Sequence, residues 1–199
     1  RFGLPYRKEH IFMASGAAGA LAHAFRLVTE PGDEILTFAP YFPEYGPYVN
    51  LTGAVLKVVP PDTESFQIHF GKFEEMLTEK VMAVLINTPN NPSGVAYSAA
   101  TLRKLADLLR EKSAEYGHAI YLISDEPYRE IVFSGVEAPC VSAFYDDTIM
   151  CYSFSKSLSI PGERIGYVAV NPRCRDAETM VNMCGQISRG IGHNCPPSI

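Results

Sequence analysis

The pattern of the chain predicts an α/β fold, a three-layer sandwich with a mostly parallel central sheet. Short apolar runs of strand length alternate with stretches of helical periodicity along almost the whole sequence. One run, Val81-Met82-Ala83-Val84-Leu85-Ile86, is continuously apolar rather than alternating, as expected of a strand covered on both faces. Several runs also stop abruptly in polar clusters, and in parallel sheets ligands collect beyond the carboxyl ends of the strands.

Taken in order, His10 to Met13 is a short apolar stretch that meets the small-residue segment Ser15-Gly16-Ala17-Ala18-Gly19-Ala20. A helical stripe of Leu21, Ala24, Phe25 and Val28 follows, and Pro31-Gly32-Asp33 stops it. Glu34 to Phe38 reads as a strand, Pro43 to Leu51 as a short helix and Ala54 to Val59 as another strand. Phe66 to His69 is a further strand candidate, ahead of a helix over Lys72 to Thr78. After the Val81 run, Ser98 can cap a helix whose apolar face is Leu102, Leu105, Ala106 and Leu109, with Gly117 just past its end. Ile120 to Ile123, Thr148 to Tyr152 and Ile165 to Val170 complete the strands, and a last helix spans about Arg173 to Ser188.

Composition narrows the function classes. With 47% apolar and 20% charged residues and a mean hydropathy of +0.00 over 199 residues, the chain is globular and long enough to bury a core without staples. A net charge of -5 with no basic block argues against nucleic acid and anionic membrane as partners. No run approaches the length of a bilayer span and the N-terminus has no apolar signal core, so a soluble, cytoplasmic protein is expected. Cys140, Cys151, Cys174, Cys184 and Cys195 contain no C-x-x-C pair, so they read as reduced, buried thiols rather than a disulfide framework or metal site. The five histidines have no metal-ligand spacing.

Four polar clusters sit at predicted strand ends: Ser15-Gly16-Ala17, Asn87 to Gly94, Ser124 to Tyr128 and Ser153 to Lys156. In the last, Lys156 follows a buried strand, is flanked by hydroxyls and precedes Arg164 by eight residues. That arrangement suits a lysine that bonds a carbonyl beside a bound phosphate. Spacing alone leaves open an exposed loop lysine and a surface arginine.

The segment Ser153-Phe154-Ser155-Lys156, with its Gly162-Glu163-Arg164-Ile165-Gly166 ending, resembles the lysine signature of the class I and II aminotransferases, pyridoxal 5'-phosphate (PLP) enzymes of fold type I. Asn91-Pro92-Ser93-Gly94 is similar to that family's N-P-[ST]-G turn, and Asp125-Glu126-Pro127-Tyr128 to its D-E-x-Y element, in the expected order. The resemblance implies the large domain of a PLP-dependent transferase running a ping-pong exchange of amino groups between an amino acid and a 2-oxo acid. It implies that Lys156 carries the cofactor as an aldimine and then moves the substrate proton as general base and acid. Asp125 would keep the ring nitrogen protonated, and Tyr128 and Asn91 would hydrogen-bond the ring oxygen. Ser153, Ser155 and Arg164 would bind the phosphate together with the backbone of Gly16, Ala17 and Ala18 at a helix start. Phe42, in Pro40-Tyr41-Phe42-Pro43-Glu44-Tyr45, would cover the face of the ring. Standing alone, the small-residue segment reads equally as close helix packing, and Tyr41, Phe42 and Tyr45 as hydrophobic cover.

The resemblance further implies a homodimer and a longer protein, in which residues 1–188 form the PLP-binding domain and residues 189–199 lead toward a small domain. The same motifs are compatible with a PLP lyase, or with a PLP-binding regulatory protein that does not turn over.

Overall fold

A computed structural model describes residues 3–192. Residues 193–199, with His193 and Cys195 and most of the segment expected to lead toward a small domain, lie outside the described residues. The strands are β1 (Ile11–Ser15), β2 (Glu34–Phe38), β3 (Val55–Val59), β4 (Val81–Asn87), β5 (Tyr121–Asp125), β6 (Thr148–Ser153) and β7 (Ile165–Val170). They form one sheet in the order β1-β7-β6-β5-β4-β2-β3, in which β7 alone runs antiparallel to its neighbours. The helices are α1 (Gly16–Val28), α2 (Tyr45–Asn50), α3 (Phe70–Met76), α4 (Ala99–Tyr116), α5 (Phe154–Ser157) and α6 (Ala177–Ile191).

Two apolar clusters cover the two faces of the sheet, which is the expected three-layer arrangement. One joins Leu21, Phe25 and Val28 of α1, Tyr45 and Val49 of α2, and Met180 and Cys184 of α6 to inward residues such as Ile35, Leu85 and Ile123. The other joins Phe73 of α3 and Leu102, Leu105 and Leu109 of α4 to Leu36, Val84 and Leu122. Adjacent residues Ile35 and Leu36, or Val84 and Leu85, therefore go to opposite cores, which is why these strands carry no polar alternation. Cys140, Cys151, Cys174 and Cys184 are buried free thiols, as expected for them.

Local chemistry sets several boundaries. The Ser98 hydroxyl accepts from Thr101 N at the start of α4, and Gly117 ends the helix at φ 77°, as its position predicts. The Phe66 to His69 strand does not form. Phe66 has φ 52°, incompatible with an extended strand, and the Gln67 side chain instead ties the segment to Ala96 O, Ser98 N and the Thr101 hydroxyl. The last helix starts later than its apolar pattern predicts, because Asn171 holds the preceding turn through bonds from Arg173 N and Cys174 N.

The topology positions the site. Because β7 is antiparallel, its first residues lie beside the last residues of β1 and β6, with Ser15 opposite Ile165 and Ser153 opposite Gly166. The carboxyl ends of β1, β4, β5 and β6 and the start of β7 thus gather at one edge. Gly166 permits the crowding there: a Cβ on it would lie 2.3 Å from Tyr152 O and 2.7 Å from the Gly16 carbonyl carbon.

Candidate functional site

A cavity of about 310 Å³ opens at that edge, and its wall includes Ala17, Ala18, Phe42, Asn91, Asp125, Tyr128, Ser153, Ser155, Lys156 and Arg164. Every predicted site residue except Gly16 is therefore on one wall. Gly16 stands behind it with φ 70°, and a Cβ there would come 2.8 Å from Arg164 Nη2, so glycine is what lets the guanidinium lie against the start of α1.

The floor is a buried carboxyl group. Asp125 ends β5, is 5% exposed, and accepts a hydrogen bond at Oδ2 from the Tyr45 hydroxyl at 2.6 Å. Its Oδ1 is buried with no hydrogen-bond partner among the described residues. Burial pushes the carboxyl up to about 7, with the Tyr45 hydrogen bond opposing that rise. Leaving a buried acceptor unpaired costs about 1–3 kcal/mol.

Asn87, at the end of β4 and opposite Asp125 in the register, braces the floor. Its Nδ2 donates to Asp125 O at 2.8 Å and its Oδ1 accepts from Asn91 N at 2.7 Å, fixing the Asn91 turn to the strand end. Asn91 Nδ2 in turn donates to the Tyr128 hydroxyl at 3.4 Å. Burial raises the Tyr128 phenol, aided by the Asp125 charge and opposed by the Asn91 bond. Behind Tyr128, Glu126 is fully buried, accepting from the Ser124 hydroxyl at 2.8 Å and pairing with Arg129, which holds the loop that carries Asp125 and Tyr128.

The mouth is cationic. Lys156 sits on α5, directly after β6, with Nζ 6.0 Å from the centre of the Tyr128 ring. The Ser153 hydroxyl caps α5 by accepting from Ser155 N at 3.2 Å and meets the Ser155 hydroxyl at 2.8 Å. Arg164 has φ 53°, a conformation that costs a non-glycine residue about 1 kcal/mol and fixes the guanidinium at the start of β7. Two cations, serine hydroxyls and the N-terminus of α1 can together hold a dianion. Arg164→Ala is expected to raise the dissociation constant for inorganic phosphate or a phosphorylated ligand about 10- to 100-fold, measured by calorimetry.

Tyr45, Asn87, Glu44 and Tyr48 were not singled out as site residues in the sequence. Glu44 and Tyr48 line the cavity and bond each other across one turn. The signal for Asn87 was an amide terminating an apolar strand. Tyr45 closes the Pro40 to Tyr45 segment, but nothing local points to its partner, which lies 80 residues away. Beside this cavity a second one, of about 290 Å³, shares Asn91 and Tyr128 and is bounded by Ile131, Val132, Phe133 and Val136.

Known proteins resemble this chain over most of its length. Residues 2–192 match the family model "Aminotransferase class I and II". An aspartate aminotransferase of Thermotoga maritima is 33% identical over 188 residues, covering 91% of this chain and 48% of that protein. A protein of Bacillus subtilis described as a probable N-acetyl-LL-diaminopimelate aminotransferase is 32% identical, covering 81% of this chain and 39% of its own length. The crystal structure of an amino transferase from Eubacterium rectale superposes with a TM-score of 0.95 at 48% identity, over 98% of this chain and 50% of that one. The chain spans about half the length of these relatives. By its sequence over nearly its whole length, the chain belongs to the class I and II aminotransferases.

Proposed function

We propose that this chain is the cofactor-binding large domain of an aminotransferase that exchanges an amino group between an amino acid and a 2-oxo acid. In this reading residues 1–188 form that domain, 189–199 lead toward a small domain, and the whole protein works as a homodimer in the cytoplasm. No helix among the described residues is long and apolar enough to cross a membrane.

Members of the family use pyridoxal phosphate, which supplies an aldehyde for an amine and a protonated pyridine ring that withdraws electrons from the substrate carbon. The observation that carries the reading is the unpaired, buried Oδ1 of Asp125 in the wall of the cavity that also holds Lys156 and Arg164. A carboxylate short of one donor fits a ring nitrogen that brings a proton. Asp125 keeps that proton in place, while Tyr128 and Asn91 hold the ring oxygen. Arg164, Ser153 and Ser155, with the backbone of Gly16, Ala17 and Ala18, bind the phosphate. Phe42, on the same cavity wall, would cover the ring and exclude water. Lys156 Nζ would be the amine that holds the aldehyde and, when free, the base and acid for the proton on the substrate α-carbon.

The test is single turnover on the full-length protein loaded with PLP and mixed with a panel of amino acids without a 2-oxo acid. The expected result is one equivalent of 2-oxo acid per bound cofactor from at least one donor. Multiple turnovers releasing ammonia would instead identify a lyase, and no reaction with any donor would identify a binding protein.

A further inference from the structure

The titratable side chains on the wall of the 310 Å³ cavity are Glu44, Tyr48, Asp125, Tyr128, Lys156 and Arg164. The functional reading gives the last four to the cofactor: the ring nitrogen to Asp125, the ring oxygen to Tyr128, the aldehyde to Lys156 and the phosphate to Arg164. Glu44 and Tyr48 remain. Glu44 stands two residues beyond Phe42, at the N-cap of α2, so the residue that would cover the ring and the spare carboxylate come from one turn of chain. It is exposed at the cavity rim, and among the described residues no cationic side chain pairs with it. Its Oε2 accepts from the Tyr48 hydroxyl, and its carbonyl oxygen accepts from Tyr48 N at 3.2 Å. Burial, aided by the Glu44 bond, pushes the Tyr48 phenol up to about 12, so the hydroxyl stays a donor and fixes the carboxylate. Arg164 and Asp125 both act on Tyr48 electrostatically, which places the pair within range of both ends of the proposed cofactor site.

We propose that Glu44 reads the substrate side chain, selecting amino acids whose side chain ends in a cation over those that carry a second carboxylate. This rests on the functional reading above. A carboxylate opposes a phosphate rather than binding it, so Glu44 does not belong to the anion site beside Arg164. The donor's amino group has to reach the aldehyde near Lys156, which leaves its side chain to meet the part of the wall that the cofactor does not use. Glu44 is the charged group there. An ammonium or guanidinium side chain would gain a charge-assisted contact with a carboxylate that Tyr48 already holds in place. A dicarboxylic donor would bring like charge against it, and a wall that repels the wrong substrate discriminates as well as one that attracts the right one. A neutral side chain of the same length gains neither effect.

The test uses the full-length protein loaded with PLP and two variants: Glu44→Gln, which keeps the shape and removes the charge, and Glu44→Arg, which reverses it. The donors are ornithine, norvaline and glutamate, which share one chain length and end in a cation, a methyl group and an anion. Their kcat/KM values are compared. Calorimetry gives the dissociation constants of 4-guanidinobutanoate, pentanoate and glutarate, a matching series with no amine to bond the aldehyde. The parent should favour ornithine, then norvaline, then glutamate, and bind the analogues in the same order. Glu44→Gln should shrink the ornithine-to-norvaline ratio about 10- to 100-fold and bring glutamate toward norvaline, and Glu44→Arg should put glutamate first. A parent that takes glutamate ahead of ornithine, or a ratio unchanged in Glu44→Gln, overturns the proposal. Should Glu44→Gln fail to fold, an order unchanged in Glu44→Arg overturns it. A loaded parent that converts no donor sinks the functional reading instead, while the order of the three analogues in parent and variants still decides what Glu44 selects.

Discussion

Lys156→Ala is expected to abolish covalent capture of PLP while leaving the cofactor able to bind through Arg164, the serines and the start of α1. Lys156 is the lysine on the cavity wall, on a helix of four residues that β6 delivers and Ser153 caps. In the proposed function its amine is both the nucleophile for the aldehyde and the group that moves the substrate proton, so one substitution removes both roles. General acid–base catalysis alone is worth about 10²–10⁴-fold, and loss of the nucleophile adds to it, so amino transfer by the full-length protein should fall by at least ~10⁴-fold. Borohydride treatment of the parent should fix the cofactor's mass on the peptide containing Lys156, and mass spectrometry of Lys156→Ala should find none. A modified peptide elsewhere would move the nucleophile to another lysine.

Asp125→Asn is expected to stabilise the cofactor-free chain while disabling the loaded one. The folded carboxyl is pushed up from its ordinary 3.8 to about 7, with burial as the main cause. Between those values the folded state keeps the proton that the unfolded chain has released, so protein stability falls as pH rises from about 4 to about 7, then levels off. The whole effect is worth at most roughly 4 kcal/mol at alkaline pH. Asn is uncharged at every pH and can still accept from the Tyr45 hydroxyl. Urea unfolding should therefore show the variant gaining on the parent between pH 5 and pH 8, and a pH-independent difference would contradict the assigned burial penalty. In the loaded protein the same change leaves the ring nitrogen without an anionic partner. Amino transfer should drop by a factor on the order of 10²–10³, the loss found when one electrostatic partner of a reacting group is removed. Stability gained by deleting a buried charge and activity lost with it are two readings of one desolvated carboxylate.

Some of the site was legible because its chemistry is local. Lys156, Ser153, Ser155 and Arg164 fall within twelve residues, and Asp125 lies three residues before Tyr128, so each set forms a short segment whose resemblance to family motifs marks it, where spacing alone leaves its role open. Asn87 was half visible, as an amide closing an apolar strand, but its two bonds to Asp125 O and Asn91 N follow from strand register. Phe66 shows the opposite failure: an apolar, β-prone side chain in a left-handed conformation, because Gln67 satisfies three partners on another segment.

The linear pattern by itself determined the layer architecture, since the period of apolar residues and the residues at helix ends act within a few positions of chain. It also determined which polar clusters end the strands. Only the folded sheet decided that those clusters share one cavity, because that depends on β7 running against its neighbours and bringing Arg164 beside Gly16. Only packing decided the state of Asp125, whose burial and Tyr45 partner come from segments far apart in sequence, and burial is a property of the assembled core rather than of any residue's neighbours in the chain.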